Sequence, residues 1–317
     1  LPGLATLFLT ILSSTAIRPS PALGIPPFRT YSLRGNQKGY PTCCVLPFLP
    51  LSRFWPPRRR WPKATPPDAG ALFEMMKLPQ IISVMQQEGI AYGETLGADM
   101  LAGNTGPDWM RMVERIYDEE RMVDRIRTEF VQGLEGADME ALHGFYGSDL
   151  GQEVLSLELS AREAFLDEAI EDAARENAAV AMADETERYQ LVARFVEAND
   201  LIERNVMGAM NSNYAFFRGL AEGGAFGGDL SEDQILADVW AQEPEIRGNT
   251  TEWVFAFSML AYQPLADDQL ESYVTFSESE AGQAINRVLF DAFDAEFEDI
   301  SRALGRAAAH EMTAQDL

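Results

Sequence analysis

From Ala71 onward, apolar residues recur three and four positions apart, the spacing of one helical face. Pro79 suits the first turn of a helix running through Ile82, Met85 and Ile90. Residues 108–133 read as one long helix or two, with Met112, Ile116, Val123, Ile126 and Phe130 apolar. Met139, Leu142 and Phe145 predict a short helix, and a long one follows from Glu153 to about Met182. A single helix is expected over 190–220, with the stripe Phe195, Asn199, Ile202, Val206, Ala209, Asn213 and Phe217. Thr250 or Thr251 should cap a helix through Trp253 and Tyr262. Residues 267–276 and 281–312 complete the set. Nowhere do β-branched residues alternate with polar ones, so the fold class is all-α.

The pattern repeats. Sliding the chain by 131 residues aligns Leu134–Ala178 with Leu265–Ala309 without a gap, and ten of the 45 positions are identical. The densest part is Phe145-Tyr146-Gly147-Ser148-Asp149-Leu150-Gly151-Gln152 against Phe276-Ser277-Glu278-Ser279-Glu280-Ala281-Gly282-Gln283. Such self-similarity implies an internal duplication and two tandem helical-bundle halves, residues 68–186 and 187–317.

Each copy of the repeated stretch reads as helix, break, helix. Ser148 and Ser279 are good N-caps, because a hydroxyl can accept from a free first-turn N–H. Asp149 and Glu280 place a carboxylate at the positive end of the helix dipole. Gly151 and Gly282 sit where glycine lowers helix propensity, which implies close approach of another backbone. Gln152 and Gln283 can bond back to the turn before the cap. These six residues form a structural corner.

The stretch 146–152 resembles the Tyr-x-Ser-Pro-x-Gly-Gln signature of the DUF2059 family, with Asp149 where the family often has proline. The resemblance extends over about residues 70–312. It implies a helical, exported bacterial protein, periplasmic or secreted, and it brings no catalytic residue.

Residues 1–67 differ from the rest. They hold nine Lys/Arg, no acid, 13 of the 17 prolines, and both cysteines, Cys43 and Cys44. Residues 68–317 therefore carry 16 basic and 50 acidic side chains, a formal charge of 16 − 50 = −34. The apolar run Leu4–Leu12 and the small residues after it resemble a signal-peptide core, too short to span a bilayer. Residues 1–67 are expected to be a signal-like, Pro/Arg-rich leader that is disordered or foreign to the natural reading frame.

Charge limits the partners. An excess of 34 negative charges argues against nucleic acid or an anionic membrane, and the body is expected not to be membrane-embedded. No phosphate loop, nucleophile elbow or His-Glu-x-x-His occurs. No cofactor and no metal is expected. The acidic runs at Asp167–Glu176 and Asp291–Asp299 lack the Glu-x-x-His of a di-iron bundle and read as solvated faces. The remaining polar signal is Asn199 and Asn213 on an apolar stripe beside Phe217. Buried amides need partners, so these three are either a ligand-groove lining or interhelical packing bonds. The expected function is a non-catalytic binding module for a protein or a small apolar or peptide ligand. The alternative is a hydrolase using Asp/Glu carboxylates and His143.

Overall fold

The computed structural model describes residues 68–101, 106–226 and 231–315, so the expectations for the leader and for Cys43 and Cys44 lie outside it. Every regular element among the described residues is an α-helix. In chain order they are α1 (Ala69–Met75), α2 (Leu78–Met100), α3 (Pro107–Ile116), α4 (Glu119–Gly133), α5 (Met139–Tyr146), α6 (Asp149–Ala164) and α7 (Glu168–Ala183). Then come α8 (Glu187–Ala198), α9 (Leu201–Glu222), α10 (Glu232–Ala241), α11 (Glu243–Tyr262), α12 (Asp267–Glu278) and α13 (Glu280–Gln315).

Local chemistry sets most of the starts. Asp68, Asp118, Asp138, Ser148, Asp167, Thr186 and Ser231 each accept a backbone N–H in the first turn of the helix they cap. Each thereby satisfies one of the donors a helix start leaves free.

One open boundary is settled and three expected ones change. Residues 108–133 form two helices, because Tyr117 ends α3 and the Asp118 side chain caps α4. The helix expected from Glu153 to Met182 breaks after Ala164, where Asp167 caps α7. The helix expected over 190–220 also breaks. Asn199 is the C-cap of α8, and Asp200 takes a left-handed conformation at φ 52° before α9. Conversely, neither Thr250 nor Thr251 caps a helix: both lie inside α11, which runs unbroken from Glu243 to Tyr262 through Gly248 and Asn249, with Pro244 in its first turn. Packing of Ile246, Thr250, Trp253 and Val254 into the core carries the helix through those weak formers.

The helix α13 forms the spine. It runs parallel to α9: Arg204 lies over Phe290, Gly219 meets Arg302, and Gly223 meets Ala309. A methyl group on Gly219 would overlap the Arg302 carbonyl, and one on Gly305 would overlap the Phe216 carbonyl, so the two backbones touch. The halves interleave. The first half's α4 packs on α13, and α6 and α7 pack on α11. Phe165 wedges edge-on against Trp253 and Phe257, with ring centroids 5.5 and 5.7 Å away. One apolar core thus runs through both halves.

Candidate functional site

The two corners carry the same bonds. Ser148 Oγ accepts from Gly151 N at 3.0 Å and donates to the Phe145 carbonyl at 2.6 Å. Ser279 Oγ accepts from Gly282 N at 3.1 Å and donates to the Phe276 carbonyl at 2.6 Å. Gln152 Nε2 donates to the carbonyls of Tyr146 (2.6 Å) and Met75 (3.3 Å). Gln283 Nε2 donates to those of Ser277 (2.8 Å) and Ala198 (2.5 Å). Met75 and Ala198 end α1 and α8, so each glutamine ties its corner to the first helix of its half. The approach at each glycine comes from the corner itself. A methyl on Gly151 would overlap the Phe145 carbonyl oxygen, and one on Gly282 would overlap that of Phe276. The corners also meet each other, since the Phe145 and Phe276 rings stack at 3.7 Å with planes 4° apart. All six corner residues therefore make bonds or contacts within the fold.

Next to the corners lies a buried polar network. Glu158, 2% exposed, accepts from Tyr262 Oη at 2.7 Å and from Tyr273 Oη at 3.0 Å. One helical turn on, Arg162 grips Glu88 of α2 with two bonds, at 3.2 and 2.5 Å. Burial pushes the Glu88 carboxyl up, while the Arg162 guanidinium pulls it down. Burial, reinforced by the Glu158 charge, holds both phenols well above the usual tyrosine range. They stay protonated donors at any working pH. The network joins a carboxylate of the first half to two hydroxyls of the second. Its sequence signal is a pair of charges four apart, Glu158 and Arg162, among the buried Val154, Leu155, Ala161 and Phe165. The spacing alone does not distinguish that pair, because an i, i+4 Glu/Arg pair ordinarily marks a solvated face.

Asn199, Asn213 and Phe217 do not form one lining. The break at Asp200 puts Asn199 on a different helix from the other two, and all three are buried. Asn199 Nδ2 donates to the Phe195 carbonyl at 2.9 Å, and its own carbonyl accepts from Asn286 Nδ2 at 2.8 Å. Asn213 Nδ2 donates to Gln242 Oε1 at 3.3 Å. The Asn199 amide thus bonds back into α8 while its backbone carbonyl takes the bond from α13, the Asn213 amide reaches the junction of α10 and α11, and Phe217 packs in the core. His143 Nε2 donates to the Asp68 carbonyl at 3.0 Å, which anchors the start of α1. In the acidic runs, Asp167 is a cap and Glu171 pairs with Arg175 at 2.7 Å. No group of three His, Cys, Asp or Glu side chains among the described residues is placed to hold a metal ion. No described helix is long and apolar enough to cross a membrane.

An open concavity lies elsewhere. A groove of about 780 Å³ runs between the end of α4, the turn at 134–138 and the first turns of α13. Ala281, Val288 and Ala292 are buried at its floor, with Ala284 partly exposed. Glu129, Glu135, Asp138, Glu280 and Asp291 stand exposed around it, with Arg287 as the only basic side chain in its lining. Its walls lie about 150 residues apart in the chain, so no local sequence pattern marks it.

No curated protein and no solved structure matches the chain. Residues 120–179, from α4 through most of α7, match the family model described as "Uncharacterized protein conserved in bacteria (DUF2059)", the family whose signature the first corner resembles.

Proposed function

We propose that the chain is a non-catalytic helical binding module working outside the cytoplasm, with the groove between α4 and α13 as its binding surface. The observation that carries this reading is the groove itself: open, about 780 Å³, floored by small apolar side chains and rimmed by five carboxylates and one arginine. Small apolar floors admit a peptide or side chain closely, and the rim charge favours basic over acidic partners. The export implied by the family resemblance supports the compartment. Matching bonds at the two corners favour two halves of common origin, with the groove at a seam between them.

The test is recovery of the native protein from cell fractions, comparing wild type with Ala284→Trp. Ala284 is partly exposed, so the indole should fill the groove without disturbing the core. The expected result is an extracytoplasmic protein whose co-purifying partner is lost in the variant while its melting temperature is unchanged. Equal partner recovery from both forms would remove the groove from the mechanism.

A further inference from the structure

The helix α13 carries acids on two flanks that face other helices. On one flank, Asp294 turns toward α9. Its Oδ1 is buried and has no hydrogen-bond partner. Asp291 and Glu298 crowd it from its own helix, and Arg204 of α9 is the cation acting on it. That arginine lies over Phe290, its guanidinium carbon 5.3 Å from the ring centre. On the other flank, Glu296 is 2% exposed and faces α4. Arg125 Nε stands 2.9 Å from its Oε2, but the same guanidinium also serves Asp299 and is 46% exposed. Arg121 of α4 and Asp299 are the other charges acting on Glu296. Neither carboxylate is fully compensated when ionised: each has a buried oxygen with no hydrogen bond, and the nearest cation to Glu296 is shared with Asp299.

We propose that α13 is a pH-sensitive clasp, seated against α9 and α4 when Asp294 and Glu296 are neutral and loosened when both are ionised. Burial pushes Asp294 up to about 7, helped by Glu298 and Asp291 against the pull of Arg204. Burial likewise pushes Glu296 up to about 7 against Arg125 and Arg121. The sign follows from proton linkage. Between the ordinary carboxylate range and pH 7, the folded chain holds protons that the unfolded chain has released, so stability falls as pH rises through that window. Each group changes the unfolding constant by up to about tenfold per pH unit within it. Surface pairs do not mask this effect. Glu203, Glu222 and Glu278 are held below the ordinary value by their arginines, so their titration lies at lower pH.

The experiment is thermal unfolding of the full chain from pH 5 to pH 8.5, for wild type, Asp294→Asn, Glu296→Gln and the double variant. Comparing variants removes contributions from Glu88, Asp99 and Glu298, whose carboxyls burial also pushes up. Wild type should lose stability steadily up to about pH 7.5. Asp294→Asn should flatten that slope and melt above wild type at pH 8. The double variant should be flatter still. Hydrogen exchange at backbone amides 290–300 of wild type, corrected for the intrinsic rate, should show protection lost selectively as pH rises. This measurement decides the matter if the variants fail to fold. A wild type as stable at pH 8 as at pH 5, an Asp294→Asn slope equal to wild type, or uniform exchange along the chain would each overturn the clasp.

Discussion

Gly151 and Gly282 show how a single absent carbon sets a chain direction. Each stands three residues after its capping serine, where the carbonyl of the residue six back occupies the space a Cβ would need. Helix propensity alone says that alanine here should stabilise by up to about 1 kcal/mol. Overlap with a carbonyl held by the serine hydroxyl says the reverse, and backbone gives way less easily than a flexible side chain. Overpacking of this kind costs about 1–3 kcal/mol, and that term should win. Gly151→Ala and Gly282→Ala should therefore both destabilise, measured by denaturant unfolding. A gain at both sites would show that the corners relax freely. The caps, the glycines and the glutamine back-bonds were legible in the sequence because each acts within seven residues of itself. Burial of Glu158 and Arg162 was not, because their partners Glu88, Tyr262 and Tyr273 lie 74 to 115 residues away.

At the scale of elements, periodicity located the helices well and their breaks poorly. The junction between α8 and α9 is the clearest case. Phe195, Val206 and Phe217 keep helical spacing across it, so the stripe reads as continuous. The actual break needs only Asp200 at φ 52°, a state open to aspartate at a cost of about 1–2 kcal/mol. Tertiary bonds hold it there. Gln283 and Asn286 of α13 bind the Ala198 and Asn199 carbonyls that the broken helix leaves free. Lys77 takes the same conformation, φ 56°, between α1 and α2, and there Gln152 reaches the Met75 carbonyl. Asp200→Gly removes the left-handed strain and loses only a long contact to Arg204 at 4.0 Å. It should raise the melting point, with a gain of about 1 kcal/mol. A clear loss of stability would mean that the carboxylate, not the backbone, fixes the junction. The groove belongs to this scale as well. It exists because α4 approaches α13 closely at Gly133, where a methyl would meet the Val288 side chain at 2.9 Å, and the turn at 134–138 then leads the chain away.

For the whole molecule, the decisive feature is that the two halves are not separate domains. Glu158 of α6 accepts from Tyr262 and Tyr273, Phe145 stacks on Phe276, and α7 lies against α11. Removing one phenol withdraws a donor from a buried carboxylate, at a cost of about 1–3 kcal/mol. Because Tyr262 and Tyr273 share the oxygen Oε1, their losses should not add. The Tyr262→Phe/Tyr273→Phe pair should cost more than the sum of the single changes, since after either single change the other phenol still donates to that oxygen. The halves have natural reporters, Trp109 in α3 and Trp253 in α11, both buried. Forms keeping only one of these tryptophans should give coincident denaturant transitions, the mark of a single cooperative unit. In the double tyrosine variant both transitions should move together to lower denaturant, because the core shared through Phe165, Trp253 and Phe257 still links the halves. Two separated transitions in the wild-type background would refute the single-unit account. Separation only in the tyrosine variant would instead make Glu158 and its phenols the tie on which coupling between the halves depends.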